Sequence, residues 1–180
     1  FPSYIISLSI GQGELLITPI QMANLATILA NRGYYMTPHV VRPTDDVARR
    51  IEKHEIPIAR KYFEPIIEGM KMVITKGTGR RAQVDSVTIA GKTGTVQNPE
   101  GDDHSVFIAF APVENPKIAL IVYVENGVWG SRYAAPIAGL LIEKYLKGKI
   151  SDKKKPLEKE MFEGNLIKNL TIKSNEKSDE

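Results

Sequence analysis

The sequence predicts an α+β fold, in which an antiparallel sheet is flanked by helices. Three segments rich in β-branched and aromatic residues follow one another between residues 86 and 126, with Asn-Pro and Glu-Gly turn signals between them. Segments with helical periodicity lie before and after this group in the chain. Because the strands are consecutive rather than alternating with helices, we expect hairpin pairing and a sheet covered by helices.

Two helices are predicted before the strands. The first begins at Thr18 as the N-cap, with Pro19 in the first helical position, and stops at Gly33. The second covers Arg60 to Thr75, and the KGTG segment that ends it is interpreted as a tight turn, because it lacks the spacing of a phosphate loop. Between the two helices, prolines predict an extended segment around Pro38 to Arg42, followed by a loop.

The three strands have the sequences SVTIAGKTGTVQ, SVFIAFAPV and KIALIVYVEN, and a last helix follows them. We expect Ser131 to cap this helix, which runs to about Lys147 and has a wide apolar face for the sheet. After the helix the residues are mostly charged or small and polar, and they bury too little surface to offset their ordering entropy. The sequence therefore predicts a domain over residues 1–148 and a charged, largely disordered tail over residues 149–180, with a short helix at Leu157 to Phe162.

Composition excludes several classes of function. The net charge is +3, and basic residues do not alternate with aromatic residues, so we expect no nucleic-acid partner. There is no cysteine and the three histidines lack ligand spacing, so we expect no metal site and no other cofactor, and we interpret His104 as structural or solvated. Trp129, in a loop bounded by glycines, is expected to cover the core. The longest apolar run, Ile118 to Val124, is too short to span a bilayer, and we expect a chain that starts at Phe1 to be a piece of a longer protein.

The segment VTIAGKTGTVQNPEG places one lysine among small residues on a predicted strand. Side chains alternate along a strand, so Lys92 should lie on one face, and Thr93 and Thr95 on the other. Gly91 and Gly94 remove bulk beside the lysine, which would let an extended peptide pair with the strand. An ammonium and two hydroxyls would then suit a peptide that ends in a carboxylate. On the tripeptide alone, a surface strand with a solvated lysine is the more common explanation.

The wider sequence carries a family resemblance. The segments SIGQGELLITPIQMANLATILANRG, MKMVITKGTGRRA, IAGKTGTVQNPEG, HSVFIAFAPVENPKIALIVYVENG and AAPIAGLLIEKYL follow in this order. From about Ser7 to Gly148 the chain closely resembles the C-terminal part of the transpeptidase domain of class B penicillin-binding proteins, above all the penicillin-binding protein 2 group of cell elongation. The K-T-G triplet at Lys92 corresponds to the third sequence element of these serine enzymes, after S-x-x-K and S-D-N. The resemblance implies part of the fold shared by penicillin-binding proteins and serine β-lactamases.

The resemblance also implies an activity and a set of roles. It implies a peptidoglycan D,D-transpeptidase, which cross-links stem peptides ending in D-Ala-D-Ala through a serine acyl-enzyme and is inhibited by β-lactams. Lys92 would be the catalytic lysine of the strand, and the hydroxyls of Thr93 and Thr95 would bind the substrate carboxylate. The Thr95 N–H would form half of the oxyanion hole, and Gly94 would keep the strand open. Gln97 would either contact the substrate or end the strand.

For the intact protein, the resemblance implies an inner-membrane enzyme of cell shape. Its transpeptidase domain would lie on the periplasmic side, and a membrane glycosyltransferase would be its partner. The membrane anchor is not expected within this chain, whose apolar runs are short.

The first two elements of the family are not at their expected places. No S-x-N triplet occurs, and S-x-x-K occurs only at Ser151 and Ser174, in the charged tail after K-T-G rather than before it. A nucleophilic serine and its lysine need one face of a buried helix, so we reject both. We expect a C-terminal portion of the domain that is inactive alone, and that self-associates through the exposed edge of its third strand. A noncatalytic binding or scaffold module of the same fold and a serine β-lactamase are the alternatives, although the GQG to TPIQMANL block favours a transpeptidase over a β-lactamase.

Overall fold

The structure is a computed structural model of the chain and describes residues 2–9, 11, 15–41 and 51–167. The helices are α1 (Pro2–Ser9), α2 (Pro19–Asn31), α3 (Phe63–Thr75), α4 (Ala134–Lys147) and α5 (Lys155–Glu163). The strands are β1 (Tyr34–Met36), β2 (Lys53–Glu55), β3 (Ala90–Val96), β4 (His104–Ala111) and β5 (Ile118–Val124). Short 3₁₀ turns cover Arg60–Tyr62, Arg80–Ala82 and Asp152–Lys154. Within the described ranges, each helix is too short or too polar to span a bilayer.

The central sheet is antiparallel, with the strand order β3-β4-β5. Lys92 lies opposite Ile108, and Phe107 lies opposite Val122, so each strand pairs with the next strand along the chain. A separate two-stranded sheet pairs β1 with β2. The predicted α+β class and the hairpin order of the central strands are therefore confirmed.

One face of the central sheet packs against α4. The buried side chain of Phe107 on β4 belongs to the same cluster as Ala134 and Ala138 on α4. Small residues also let α4 approach the 3₁₀ turn at Arg80–Ala82 closely, since a Cβ added at Gly139 would lie only 2.7 Å from the carbonyl oxygen of Ala82. Close packing of this kind leaves little room for any larger residue on this side of α4.

The opposite face of the sheet packs against α2 and α3. Ile108 and Phe110 of β4 share a buried cluster with Ala26 of α2 and Ile67 of α3. Successive side chains of β4 therefore enter two different cores, as the alternation of a strand requires. Because both faces of β4 are covered, this strand is buried from Ser105 to Ala111 and anchors its neighbour β3.

The boundaries of α2 agree with the sequence. The Thr18 N–H and hydroxyl both donate to Oε1 of Gln21, at 2.8 and 3.0 Å, so Gln21 closes back on the N-cap residue at the start of the helix. At the other end, Arg32 adopts φ 57° and Gly33 adopts φ 121°, so the chain leaves the helix in the left-handed region.

The expected cap of the last helix is wrong. α4 begins at Ala134 rather than directly after Ser131, and the Ala134 N–H donates to Ser105 Oγ at 3.1 Å. Ser105 is fully buried on β4 and also donates to the carbonyl oxygen of Trp129 at 2.7 Å. The cap therefore comes from the sheet, a contact across the fold that local sequence does not reveal.

The chain between α2 and α3 differs from its expected path. The extended segment is the strand Tyr34–Met36, which comes before Pro38 rather than after it, and it pairs with β2 in the region expected to be a loop. Tyr35 stacks on His54 with ring centroids 4.8 Å apart, which supports this pairing. Arg42 and the segment that follows it to residue 50 lie outside the described residues.

The tail also differs from expectation over part of its length. The short helix expected at Leu157 to Phe162 is present as α5, and the carboxylate of Glu160 accepts two hydrogen bonds of 2.7 Å from Arg81. Ile150 is only 9% exposed. The chain is helical at Asp152–Lys154 and Lys155–Glu163, the ion pair with Arg81 ties α5 to the domain, and Ile150 is buried just before these residues. Residues 168–180 lie outside the described residues, and the division of the chain at residue 148 stays a prediction.

Candidate functional site

The five residues singled out in the sequence lie along β3 and just beyond its end. They are all partly or fully exposed, and they are Lys92, Thr93, Gly94, Thr95 and Gln97. In the described part of the chain, β3 pairs on one side only, with β4. The structure thus brings the candidate residues together on an edge strand, where an extended chain could pair with the backbone.

The strand presents its lysine and its threonines on different faces. Lys92 lies beside Ile108, on the face covered by α2 and α3, whereas Thr93 lies beside Phe107, on the face covered by α4. The Lys92 ammonium donates to the carbonyl oxygen of Thr93 at 2.9 Å, so the cation lies along the strand. The ammonium and the hydroxyls are hydrogen-bond donors that suit an anionic group, and they lie on one edge strand although on different faces of it.

The glycines on either side of Lys92 have different roles. A Cβ at Gly91 would lie 2.6 Å from Cζ of Phe107 and 2.9 Å from the carbonyl oxygen of Ile108, so this glycine is required by packing. A Cβ at Gly94 would lie 3.5 Å from Val106, an ordinary contact. The idea that both glycines open the strand is therefore wrong for Gly91, and the open position is at Gly94.

A residue missed in the sequence also lies at this site. Oγ1 of Thr78 is 2.6 Å from Oγ1 of Thr93, which links the turn after α3 to the candidate strand. The predicted tight turn is present, since the Gly79 N–H donates to the carbonyl oxygen of Val73 at 3.0 Å. The only signal for a further role was the presence of a hydroxyl in a glycine-rich turn shortly before the strand.

The loop between β5 and α4 packs against the candidate strand β3. A Cβ at Gly130 would lie 2.7 Å from the carbonyl oxygen of Gly94 and 3.0 Å from Cβ of Thr93, so the loop backbone touches the strand directly. Trp129 is 62% exposed, and the expectation that it covers the core is wrong. The backbone explains its exposure, because Val128 adopts φ 65° and its N–H donates to the carbonyl oxygen of Asp103 at 2.8 Å, which fixes the loop with the indole outside.

His104 has a structural role in the described chain. Its Nδ1 accepts a hydrogen bond of 3.1 Å from the Asn126 N–H, and its ring packs against Tyr123 with centroids 5.4 Å apart. The described residues contain no group of three or more histidine, aspartate or glutamate side chains arranged to hold a metal ion. His104 therefore links the start of β4 to the segment just after the end of β5.

Two serines bear on the question of a nucleophile. Ser105 lies on β4, but its hydroxyl is buried and engaged by the cap of α4 and the carbonyl of Trp129. Ser151 precedes Lys154, whose ammonium donates to the carbonyl oxygen of Gln83 and lies 3.9 Å from the carboxylate of Glu143 on α4. Because α4 covers the face of the sheet opposite Lys92, this serine and lysine do not complete the candidate site. Ser174 lies outside the described residues.

Comparison with known sequences points to one family. The family described as the penicillin binding protein transpeptidase domain matches residues 3–143 of this chain. The chain is 34% identical over 171 residues to the peptidoglycan D,D-transpeptidase MrdA of Haemophilus influenzae, covering 81% of this chain and 26% of that protein. It is also 34% identical over 161 residues to the peptidoglycan D,D-transpeptidase PbpA of Mycobacterium tuberculosis, covering 78% of this chain and 31% of that protein.

Comparison with solved structures gives the same result. The imipenem acyl-enzyme complex of penicillin-binding protein A from M. tuberculosis is similar with a TM-score of 0.67 and 31% identity, over 78% of this chain and 33% of that one. Pseudomonas aeruginosa PBP2 in complex with WCK 5153 is similar with a TM-score of 0.65 and 30% identity, over 86% of this chain and 36% of that one. Both similar structures are penicillin-binding proteins, and the likeness supports the α+β fold class.

The similarities also have a definite extent. The chain spans about a quarter of the length of the curated MrdA relatives that it matches. The family match runs from α1 into α4 and includes the whole of the central sheet with the K-T-G strand. The family match over residues 3–143 and the relatives at 34% identity show that the chain belongs to the penicillin-binding protein transpeptidase domain family, among its class B members.

Proposed function

We propose that this chain is the C-terminal part of the transpeptidase domain of a peptidoglycan D,D-transpeptidase, and that β3 binds the substrate. The observation that carries the proposal is the single edge strand on which Lys92, Thr93 and Thr95 lie beside the open position at Gly94. The substrate is a stem peptide that ends in D-Ala-D-Ala, and β-lactams bind to the same strand. The names of the relatives, and of the imipenem acyl-enzyme complex among the similar structures, support this assignment.

Recognition of the substrate begins with its carboxylate. An extended peptide pairs with the edge of β3 as an added strand, and the hydroxyls of Thr93 and Thr95 donate to its terminal carboxylate. Lys92 exchanges its contact with the Thr93 carbonyl for an attraction to this carboxylate, and assists proton transfer beside the nucleophilic serine. A hydrogen bond to a charged group contributes about 1.5 to 3 kcal/mol. These groups together favour ligands that carry a carboxylate over neutral ones.

The same strand takes part in the chemical step. The Thr95 N–H is one of the two donors to the oxyanion that forms when the serine attacks the substrate carbonyl, a contribution of about 2.7 to 4 kcal/mol to the transition state. Gly94 has no side chain to obstruct the substrate backbone. Gln97, exposed beyond the end of the strand, contacts a more distant part of the substrate.

The proposal for the intact protein extends beyond this chain. The nucleophilic serine, its lysine and the S-x-N element are supplied by another segment, and the 180-residue chain alone is inactive. The intact protein acts on the outer side of the inner membrane, with a membrane glycosyltransferase as partner, and contributes to cell shape. The similarity to MrdA, of which this chain covers 26%, supports the existence of such a longer protein.

Covalent labelling with a fluorescent penicillin tests the proposal. We expect one adduct on the longer protein and none on the 180-residue chain, measured by intact mass. Lys92→Met should lower the second-order rate constant of acylation by about 100-fold, the scale of a proton-transfer group. Lys117→Met, which removes an exposed lysine just before β5, is the matched control and should leave the rate unchanged.

The possible results separate the alternatives. A stable adduct on the 180-residue chain would show that its own serines react and would contradict our placement of the nucleophile. A longer protein that never forms an adduct would be a scaffold module, and one that forms the adduct but releases hydrolysed penicillin within seconds would be a β-lactamase.

A further inference from the structure

A pair of hydroxyls joins the turn after α3 to the candidate strand. Oγ1 of Thr78 and Oγ1 of Thr93 are 2.6 Å apart, which is a short hydrogen bond in which either atom can be the donor. Thr78 is exposed and Thr93 is half-buried, so both remain close to solvent at the edge of the sheet. The contact therefore lies where a ligand on β3 would meet the protein.

The turn holds Thr78 in place through its two neighbouring glycines. A Cβ at Gly77 would lie 2.9 Å from Cα of Val73, and a Cβ at Gly79 would lie 3.0 Å from Cδ1 of Ile74. The Gly77 N–H donates to the carbonyl oxygen of Met72 at 3.0 Å. Both glycines thus allow the turn to fold back closely on the end of α3, and this packing directs Thr78 to the strand.

Thr93 is also held from the side of the β5–α4 loop. The backbone at Gly130 approaches so closely that an added Cβ would be 3.0 Å from Cβ of Thr93. Thr93 therefore lies between the loop at Gly130 and the turn at Thr78. A hydroxyl held on both sides has few rotamers, which reduces the entropy that it loses when a ligand binds.

The direction of the proton in this pair matters for a carboxylate ligand. An ionised carboxylate only accepts hydrogen bonds, so a hydroxyl that contacts it must donate. If Thr93 donates to the carboxylate, Thr78 must donate to Thr93, and this chain of donors strengthens each bond. We propose, building on the proposed function, that Thr78 is a positioning residue that donates to Thr93 and so directs the Thr93 proton at the carboxylate of the ligand.

Acylation of the longer protein by two related compounds tests this role. The probes are a penicillin with a free carboxylate and the methyl ester of the same penicillin, with the binding constant and the acylation rate constant measured separately. Thr78→Val should weaken binding of the acid by about 3- to 10-fold and leave its acylation rate constant unchanged, since one hydrogen bond is lost. Binding of the ester should not change. Thr78→Ser, which keeps the hydroxyl, should bind the acid within about twofold of the original protein.

Thr75→Val is the matched control. Thr75 lies at the end of the same helix, is exposed, and donates to the carbonyl oxygen of Lys71 at 3.2 Å, away from β3. This variant should bind both probes like the original protein. If Thr78→Val weakens binding of the acid and of the ester equally, or if Thr78→Ser binds the acid as weakly as Thr78→Val does, the hydroxyl is only structural. The inference is then overturned.

Thr93→Val separates this inference from the function on which it rests. If Thr93→Val changes the binding of the acid and of the ester to the same extent, the proposed carboxylate site on β3 is wrong. If Thr93→Val weakens binding of the acid more than binding of the ester, but Thr78→Val does not, only the inference about Thr78 fails. If both variants weaken binding of the acid selectively, the double variant should bind the acid no more weakly than Thr93→Val alone, because Thr78 acts through Thr93.

Discussion

Lys92 is flanked by two glycines for different physical reasons. Gly91 faces Phe107 on the side of the sheet that packs against α4, and the core fills all the space that a side chain would need. Gly94 faces the same side as Lys92, and its nearest neighbour Val106 is at an ordinary distance. At the scale of single residues, stability depends on the first glycine and ligand access on the second.

Alanine substitutions at the two glycines should separate these roles. Gly91→Ala should lower the free energy of unfolding of the 180-residue chain by about 1 to 3 kcal/mol, because overpacking displaces Phe107 and the strand backbone. Gly94→Ala should change it by less than about 0.5 kcal/mol. Urea unfolding measures both values.

The same pair of variants has a second expected result in the longer protein. Gly94→Ala should slow acylation by penicillin at least about tenfold, since a methyl group displaces the ligand from the strand. Equal losses of stability for the two variants, or an unchanged acylation rate in Gly94→Ala, would contradict the division of roles.

A buried acid on α4 shapes the charges around the tail. Glu143 is 1% exposed, and Lys147 and Lys154 lie 3.6 and 3.9 Å from its carboxylate oxygens. Burial lowers the pKa of Lys154 below its ordinary value of 10.5, although the attraction of Glu143 and Asp85 opposes this shift. Burial, together with repulsion from the ammonium groups of Lys147 and Lys153, therefore outweighs the attraction of the two carboxylates.

This shift predicts a pH dependence of stability. Between the lowered pKa of Lys154 and 10.5, the unfolded chain binds more protons than the folded chain, so the free energy of unfolding rises with pH in this window. The difference in unfolding free energy between the original chain and Lys154→Met should therefore increase with pH up to about 10.5. Urea unfolding at several alkaline pH values checks this increase, with Lys159→Met as the control for loss of an exposed lysine. A difference that falls with pH would show that the ion pair outweighs burial.

At the scale of elements, α5 is tied to the domain at several points. Ile150 enters the core next to α4, and an open apolar groove of about 270 Å³ between the two helices includes Leu140 and Met161. Arg81 connects α5 to the loop before α4. It binds Glu160 with two hydrogen bonds and also donates to the carbonyl oxygen of Arg132 at 3.0 Å. The segment thus contributes to the packing of α4 against the sheet.

Truncation tests how much the segment contributes. Removal of residues 149–180 should lower the free energy of unfolding by about 2 to 4 kcal/mol, because the buried side chain of Ile150 and the partly buried side of α5 are lost. Removal of residues 168–180 alone is the control, and the difference between the two truncated chains gives the contribution of Ile150 and α5. Equal stability of the two truncated chains by urea unfolding would show that the tail only rests on the domain surface.

At the scale of the whole molecule, the described sheet has an apolar edge at β5. Its sequence is IALIVYV, but only Val122 is buried, and within the described residues the strand pairs with β4 alone. Edge strands of this kind pair readily with other chains. We therefore expect the isolated 180-residue chain to dimerise or aggregate through β5.

Light scattering over a range of concentrations tests this expectation. The apparent mass of the chain should rise with concentration, and Tyr123→Lys should suppress the rise because a charge on an edge strand opposes pairing. Tyr145→Lys is the matched control, since Tyr145 is 62% exposed on α4 rather than on the sheet, and it should associate like the original chain. A chain that stays monomeric at high concentration would contradict self-association through this edge.

Much of the fold could be predicted because its signals are local. The Thr18 and Pro19 start of α2 and the strands at β3, β4 and β5 follow from neighbouring residues, whose periodicity and turn chemistry act over a few positions. The candidate residues of β3 could be placed together for the same reason, since they are consecutive. The role of Gly91 could not be predicted, because it depends on Phe107 across the sheet.

The sequence alone was sufficient for the fold class, the order of the central strands and the K-T-G strand that carries the family likeness. The tertiary structure was needed for every feature that joins distant parts of the chain: Thr78 beside Thr93, the Ser105 cap of α4, and Arg81 bound to Glu160, which are 15, 29 and 79 positions apart. The physical reason is that propensity and hydrophobic pattern depend on neighbouring residues. A hydrogen bond between distant side chains depends on how whole elements pack, and many sequences with the same pattern would pack without it.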